Sequence, residues 1–165
     1  TKYFFKKLIE FEISFFSGVP DSLLKNICGF ISDNVDDRSH IIAANEGNAL
    51  AIGIGYHIST GKLPLIYMQN SGLGNIINPL LSLADPDVYS VPMILMIGWR
   101  GQPGVKDEPQ HKKQGRVTLK MLETMEVPYE ILSNDTNDIQ AEEIIKKARR
   151  VALKANSPYE IVVQK

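Results

Sequence analysis

The chain has 165 residues, 44% hydrophobic and 22% charged, enough to build one core, and its net charge is -1. That balance gives no electrostatic basis for nucleic-acid or membrane-surface binding. A single cysteine, Cys28, excludes an internal disulfide framework and a cysteine-based zinc site, and no apolar stretch reaches the ~18 residues of a membrane span.

Lys2, Lys6, Lys7 and Glu10 interrupt the first apolar stretch, so it does not read as a secretory signal, and a cytoplasmic location is the default. Residues 2–11 carry Phe4, Leu8 and Phe11 at helical spacing. Residues 14–19 read as a short strand, and Pro20 is placed to open a helix, where its missing N–H costs nothing. Leu23, Leu24, Ile27 and Ile31 form the stripe of that helix. Residues 39–43 are the second strand. Residues 46–59, rich in Ala, Gly and Ile, are a helix ended by Gly61, and small residues suit it to packing against a sheet or a partner chain.

Residues 63–68 form a continuous apolar run, as a buried parallel strand does. A helix over 72–83, a strand over 92–97 and a long polar loop over 99–115 follow. The chain closes with a helix over 117–125, a strand over 129–132, a helix over 138–155 and a strand over 159–163. Strands separated by helices imply βαβ crossovers. The expected fold is a three-layer α/β/α domain over residues 1–165 with a mainly parallel six-stranded sheet. The chain begins with Thr and stops just after a strand, which fits a trimmed chain followed by more sequence or by a partner.

In an open parallel sheet, ligands bind beyond the carboxyl ends of the strands. Four polar loops fall there. The first is Gly18-Val19-Pro20-Asp21-Ser22 and the second is Asn45-Glu46-Gly47-Asn48. The third is Gln69-Asn70-Ser71-Gly72-Leu73-Gly74-Asn75, and the fourth spans residues 99–115. Glu46 stands out, because it opens a helix close to the packed sheet, where few charges belong. An apolar cofactor against it would raise its pKa by desolvation. The plain alternative is an acid favoured by the helix dipole. The Gly72-Leu73-Gly74 turn lacks the third glycine of a dinucleotide fingerprint and the Gly-Lys-Ser/Thr of a P-loop.

The fourth loop carries Arg100, Lys106, Lys112, Lys113 and Arg116 against Asp107 and Glu108, which suits a small anion. His111 in that loop can exchange protons near neutral pH. His40 and His57 read as structural, and the three histidines lack metal-ligand spacing, so no protein-only metal site is expected.

Taken in order, Gly18-Val19-Pro20-Asp21-Ser22-Leu23-Leu24, Ala44-Asn45-Glu46-Gly47-Asn48-Ala49, Tyr67-Met68-Gln69-Asn70-Ser71-Gly72-Leu73-Gly74-Asn75 and Asp107-Glu108-Pro109-Gln110-His111 are recognisable. The chain resembles the pyrimidine-binding (PYR) domain of the phosphonopyruvate decarboxylase family of thiamine diphosphate enzymes. Sulfopyruvate decarboxylase, whose alpha subunit is a free-standing domain of this size, is a close relative. The resemblance covers essentially the whole chain.

The resemblance implies that Glu46 hydrogen-bonds the aminopyrimidine ring of thiamine diphosphate and favours its active tautomer. It implies that Gln69, Asn70, Ser71, Gly72 and Asn75 line the cofactor, and that Asp21, Ser22 and His111 handle protons. The implied substrate is 3-phosphonopyruvate, converted to phosphonoacetaldehyde and CO2 in phosphonate biosynthesis, with sulfopyruvate as the alternative. Arg100, Gln110, Lys112 and Lys113 are the candidates for the substrate's anionic tail. The family's diphosphate and Mg2+ site, a Gly-Asp-Gly followed by a later Asn, belongs to a second, pyrophosphate-binding domain, and no Gly-Asp-Gly occurs here. The chain is therefore expected to supply half of an active site, to be nearly inactive alone, and to work in an oligomer with that domain across the small-residue helix. The competing expectations are a non-catalytic PYR-fold domain and a plain nucleotide-binding domain, the latter disfavoured by the missing glycine fingerprint.

Overall fold

Side-chain alternation along the strands decides the layers. A computed structural model describes residues 1–165. Its helices are α1 (Lys2–Glu10), α2 (Lys25–Asn34), α3 (Glu46–Thr60), α4 (Leu73–Pro79), α5 (Pro109–Thr124) and α6 (Asp138–Ala155). Its strands are β1 (Phe15–Gly18), β2 (His40–Ile42), β3 (Pro64–Gln69), β4 (Met93–Gly98), β5 (Tyr129–Leu132) and β6 (Pro158–Val163). The strands pair in the order β2-β1-β3-β4-β6-β5, every neighbouring pair parallel. Leu65 and Tyr67 of β3 join one core with α1, α2 and α6. Ile66 and Met68, alternating with them, join a second core with α3, α4 and α5. The result is the expected three-layer α/β/α fold, and no helix is long and apolar enough to cross a membrane.

The chain leaves β1 toward one face, through α2, and leaves the adjacent β3 toward the other, through α4. The crevice between their carboxyl ends is where such sheets bind ligands. Gly18 ends β1 there. A Cβ on it would lie 2.2 Å from the Tyr67 carbonyl oxygen, so only a glycine allows the two strand ends to approach this closely.

Three element boundaries differ from expectation. Helix α2 starts at Lys25, several residues after Pro20. The intervening turn is held by Asp21, whose Oδ2 accepts the Leu23 and Leu24 N–H groups at 2.8 and 3.2 Å. The helix expected over 72–83 is a 3-10 turn at Asn70–Gly72, α4, and a π-turn at Leu80–Ala84. Pro79 explains the widening, since it lacks the N–H of a regular α-turn. Helix α5 begins at Pro109, so the polar segment from Gln110 to Arg116 is helical and not loop. Proline at the first helical position fits. Gly115 is the buried residue of that polar segment, so an apolar periodicity does not register it.

His40 and His57 make internal bonds, His40 Nε2 with the Tyr67 hydroxyl at 2.7 Å and His57 Nδ1 with the Lys62 carbonyl at 2.9 Å. Burial pushes the Cys28 thiol up to about 11.

Candidate active site

The crevice is lined on one side by the start of α3. Asn45 caps that helix by accepting the Asn48 N–H at 3.0 Å, which sets Glu46 as its first residue. The Glu46 carboxyl is half-buried and is held across the crevice by Asn75 of α4, whose Nδ2 donates to Oε2 at 2.7 Å. Its other oxygen, Oε1, bonds nothing within the chain. Gly72 lies directly against it, since a Cβ there would stand 2.4 Å from Glu46 Cγ and 2.8 Å from Oε1. The site therefore holds an aimed carboxyl group beside a stretch of bare backbone.

The segment after β3 divides. Gln69 and Ser71 stay together at the rim, with Gln69 Nε2 donating to Ser71 Oγ at 2.7 Å. Asn70 turns inward and is 1% exposed. Its Nδ2 donates to the Arg100 carbonyl at 2.9 Å and to Thr118 Oγ1 at 2.8 Å, and its Oδ1 accepts the Arg100 N–H at 3.2 Å. Every polar atom of that side chain is engaged, so Asn70 braces the β4–α5 connection and offers no side-chain group to a cofactor. This corrects the expectation for it.

On the other side, Asp21 is buried at the end of β1 and its carboxylate fills the space over Gly98, where a Cβ would come within 2.4 Å of Oδ2. Burial raises its pKa, opposed by the Leu23 and Leu24 N–H groups and by the Arg100 charge. The exposed Ser22 accepts a bond from Arg100 Nη1 at 2.6 Å. Arg100 itself is committed to Asp107, through Nε to Oδ2 at 2.9 Å and Nη2 to Oδ1 at 2.6 Å. Asp107 also accepts the Gly101 and Glu108 N–H groups, both at 2.8 Å, and pairs with His111 Nδ1 at 2.9 Å. With its side chain 4% exposed, it is the hub of the connection. The Arg100 guanidinium, then His111, hold its carboxyl far below the usual carboxylate range. An ionised Asp107 places the imidazole proton on Nδ1 and leaves His111 Nε2 unpartnered within the chain.

Two corrections follow for the anion-binding candidates. Arg100 already has a bidentate carboxylate and is not a free cation. Lys112 faces a cavity of about 930 Å³ between residues 100–109 and α5, together with Lys106, Arg116 and Lys165. Gln110 and Lys113 do not line it, because neighbouring positions on a helix face different ways. Asp107 was not among the expected site residues. Its place between basic residues, four before a histidine at helical spacing, was the available signal.

Residues 1–122 match the family model described as thiamine pyrophosphate enzyme, N-terminal TPP binding domain. The chain belongs to the thiamine pyrophosphate enzyme family. Phosphonopyruvate decarboxylase of Streptomyces viridochromogenes is 35% identical over 123 residues, 74% of this chain and 30% of that protein. The sulfopyruvate decarboxylase subunit alpha of Methanococcus maripaludis is 33% identical over 159 residues, covering 96% of this chain and 90% of that subunit. The chain thus spans under a third of the Streptomyces relative and nearly all of the archaeal subunit. Among solved structures, benzoylformate decarboxylase from Polynucleobacter necessarius superposes with a TM-score of 0.76 at 20% identity, over 99% of this chain and 29% of that one, a likeness of fold.

The residues present fit the aminopyrimidine end of thiamine pyrophosphate. Glu46 keeps one oxygen free, Asn75 fixes the other, and Gly72, having no side chain, lets the Glu46 carboxyl lie directly against the backbone. Gln69 and Ser71 supply polar atoms at the rim.

Proposed function

We propose that this chain is the pyrimidine-binding half of a thiamine diphosphate-dependent decarboxylase acting on a short 2-oxo acid with an acidic tail, 3-phosphonopyruvate. The observation that carries this is the Glu46 carboxyl, held by Asn75 at 2.7 Å and aimed beside bare backbone at Gly72. When bound, thiamine diphosphate supplies the electron sink that decarboxylation needs. Glu46 Oε1 is the protein's contact to the aminopyrimidine and the place where its proton is held. His111, with its ring oriented by Asp107, and the Asp21 carboxyl, buried over Gly98, are the candidates for further proton handling. Loss of CO2 and uptake of one proton at the same carbon give phosphonoacetaldehyde. The diphosphate and Mg2+ belong to a pyrophosphate-binding domain or subunit that this chain pairs with.

The apolar outer face of α3 suits that pairing. Ile58 is 63% exposed there, and Gly55 opens on empty space. The 33% identity over 159 residues to an archaeal sulfopyruvate decarboxylase subunit alpha supports a second reading, with sulfopyruvate as substrate.

The test is CO2 release from 3-phosphonopyruvate and from 3-sulfopyruvate by this chain combined with a pyrophosphate-binding half, thiamine diphosphate and Mg2+. Faster turnover of the phosphonate supports the proposal. Faster turnover of the sulfonate transfers it to the second reading, and no release from either rejects both.

A further inference from the structure

The cavity between residues 100–109 and α5 has an uneven charge. Lys106, Lys112, Arg116 and Lys165 line it, and none of them takes part in an ion pair. Lys165 Nζ reaches only the Lys106 carbonyl, at 3.3 Å. The other lining charges are Glu108 and the Arg100–Asp107 pair, which neutralises itself. Four cations thus face one uncompensated carboxylate. Lys112 and Arg116 stand one turn apart on α5, side by side. The uncapped N-terminus of α5 adds its positive dipole end at the same place. In the same wall, Gln102 Oε1 is buried without a partner. Rotating that amide by half a turn presents an N–H donor instead, and a buried amide requires a partner.

We propose that this cavity binds a tetrahedral dianion of the phosphonate or phosphate class in preference to the singly charged sulfonate. The physical reason is Coulombic, since doubling the ligand charge doubles its attraction to the same cations. If the decarboxylase reading above holds, the ligand is the substrate's tail. That identification rests on the reading, whereas the site does not. Arg100 joins the cavity to the crevice, for it lines the first and reaches Ser22 beside the second.

The experiment titrates the chain with methylphosphonate, inorganic phosphate and methanesulfonate, followed by calorimetry and amide NMR. Methylphosphonate and phosphate should saturate and move the amides of residues 101–108, with methanesulfonate weaker by about tenfold. Methylphosphonate binding should strengthen as pH rises through its second ionisation near neutrality. The charged groups that face the ligand are Arg100, Lys106, Lys112, Arg116, Lys165, Asp107 and Glu108, with His111 behind Asp107. Methanesulfonate, singly charged throughout, reports any change that comes from the protein and not from the ligand. The K112Q/R116Q variant should bind methylphosphonate at least about tenfold more weakly. Both side chains are exposed and partnerless, so the fold should persist, and K120Q should bind like the parent. K106Q repeats the test if the double variant does not fold.

Absence of saturable binding, equal affinity for the sulfonate, or indifference to both cavity variants would overturn the proposal. In the assembled enzyme, competition between methylphosphonate and 3-phosphonopyruvate assigns the cavity to the substrate's tail. Non-competitive inhibition assigns it to free phosphate. Saturable binding without any turnover leaves the site standing and removes the decarboxylase reading.

Discussion

Asn75 and Glu46 lie 29 positions apart in sequence and meet at 2.7 Å across the mouth of the crevice. The bond uses Oε2 and so decides which carboxyl oxygen remains for a ligand. In the assembled enzyme, Glu46→Gln should lower kcat by roughly 10²-fold or more, the usual loss when an acid–base group is removed. Asn75→Ala should lower it by about tenfold, since the carboxyl survives but is no longer aimed. Both sites are on the open side of the fold, so thermal melts should move by no more than a degree or two. Normal turnover by Glu46→Gln would reject the role given to Glu46.

Two glycines separate folding from function. At Gly72, an added Cβ meets the Glu46 side chain, which can swing away. Gly72→Ala should therefore keep a near-parental melting temperature while weakening thiamine diphosphate binding in the assembled enzyme. At Gly18, the added Cβ meets the Tyr67 backbone oxygen at 2.2 Å, which cannot move without the strand. Gly18→Ala should cost about 3 kcal/mol of stability, as overpacking does. The two melts, run side by side, check the contrast.

The strands were legible because a buried parallel sheet writes itself as apolar runs, such as Leu63 to Met68 and Pro92 to Ile97. The position of Glu46 at the start of α3 was legible because Asn45 reads as a helix cap between such a run and a small-residue helix. The start of α5 was not, because it packs a glycine and a histidine against the loop and no apolar stripe begins before Val117. Nor could sequence reveal that Arg100 faces Asp107, or that Asn70 turns inward while its neighbours Gln69 and Ser71 stay at the rim. Those facts depend on where a side chain points, which residue type alone leaves open.

Asp107 should be the residue whose loss loosens the whole β4–α5 connection. Asp107→Asn removes the charge and sets amide hydrogens against the donors of Arg100 and the backbone, at a cost of about 3 kcal/mol. Hydrogen exchange at Gly101 and Glu108 should speed up, because both amides donate to this carboxylate. The folded-state pKa lies below the unfolded one, so the network's stabilisation is full above about pH 4 and fades only as pH falls further. Between pH 5 and 8, the stability difference between parent and variant should stay flat with respect to this group. A difference that shrank as pH fell from 8 to 5 would mean Asp107 is not held ionised.

Glu160 should give the opposite pH dependence. It sits on β6, paired in register with Leu95 and Tyr129, is 0% exposed, and neither carboxyl oxygen has a partner. Burial raises its pKa well above the usual carboxylate value. The folded chain therefore holds this proton more tightly than the unfolded one. Its effect on stability is absent below the unfolded value near pH 4, and destabilisation accumulates as pH rises toward the folded pKa. The slope is about 1.4 kcal/mol per pH unit while only the unfolded state is ionised. Glu160→Gln keeps the shape and cannot ionise. Parent and variant should melt together near pH 4.5, and the variant should melt several degrees higher at pH 7.5. Equal melts at pH 7.5 would mean that Glu160 has a partner or a route to water, and that this part of the core is not dry.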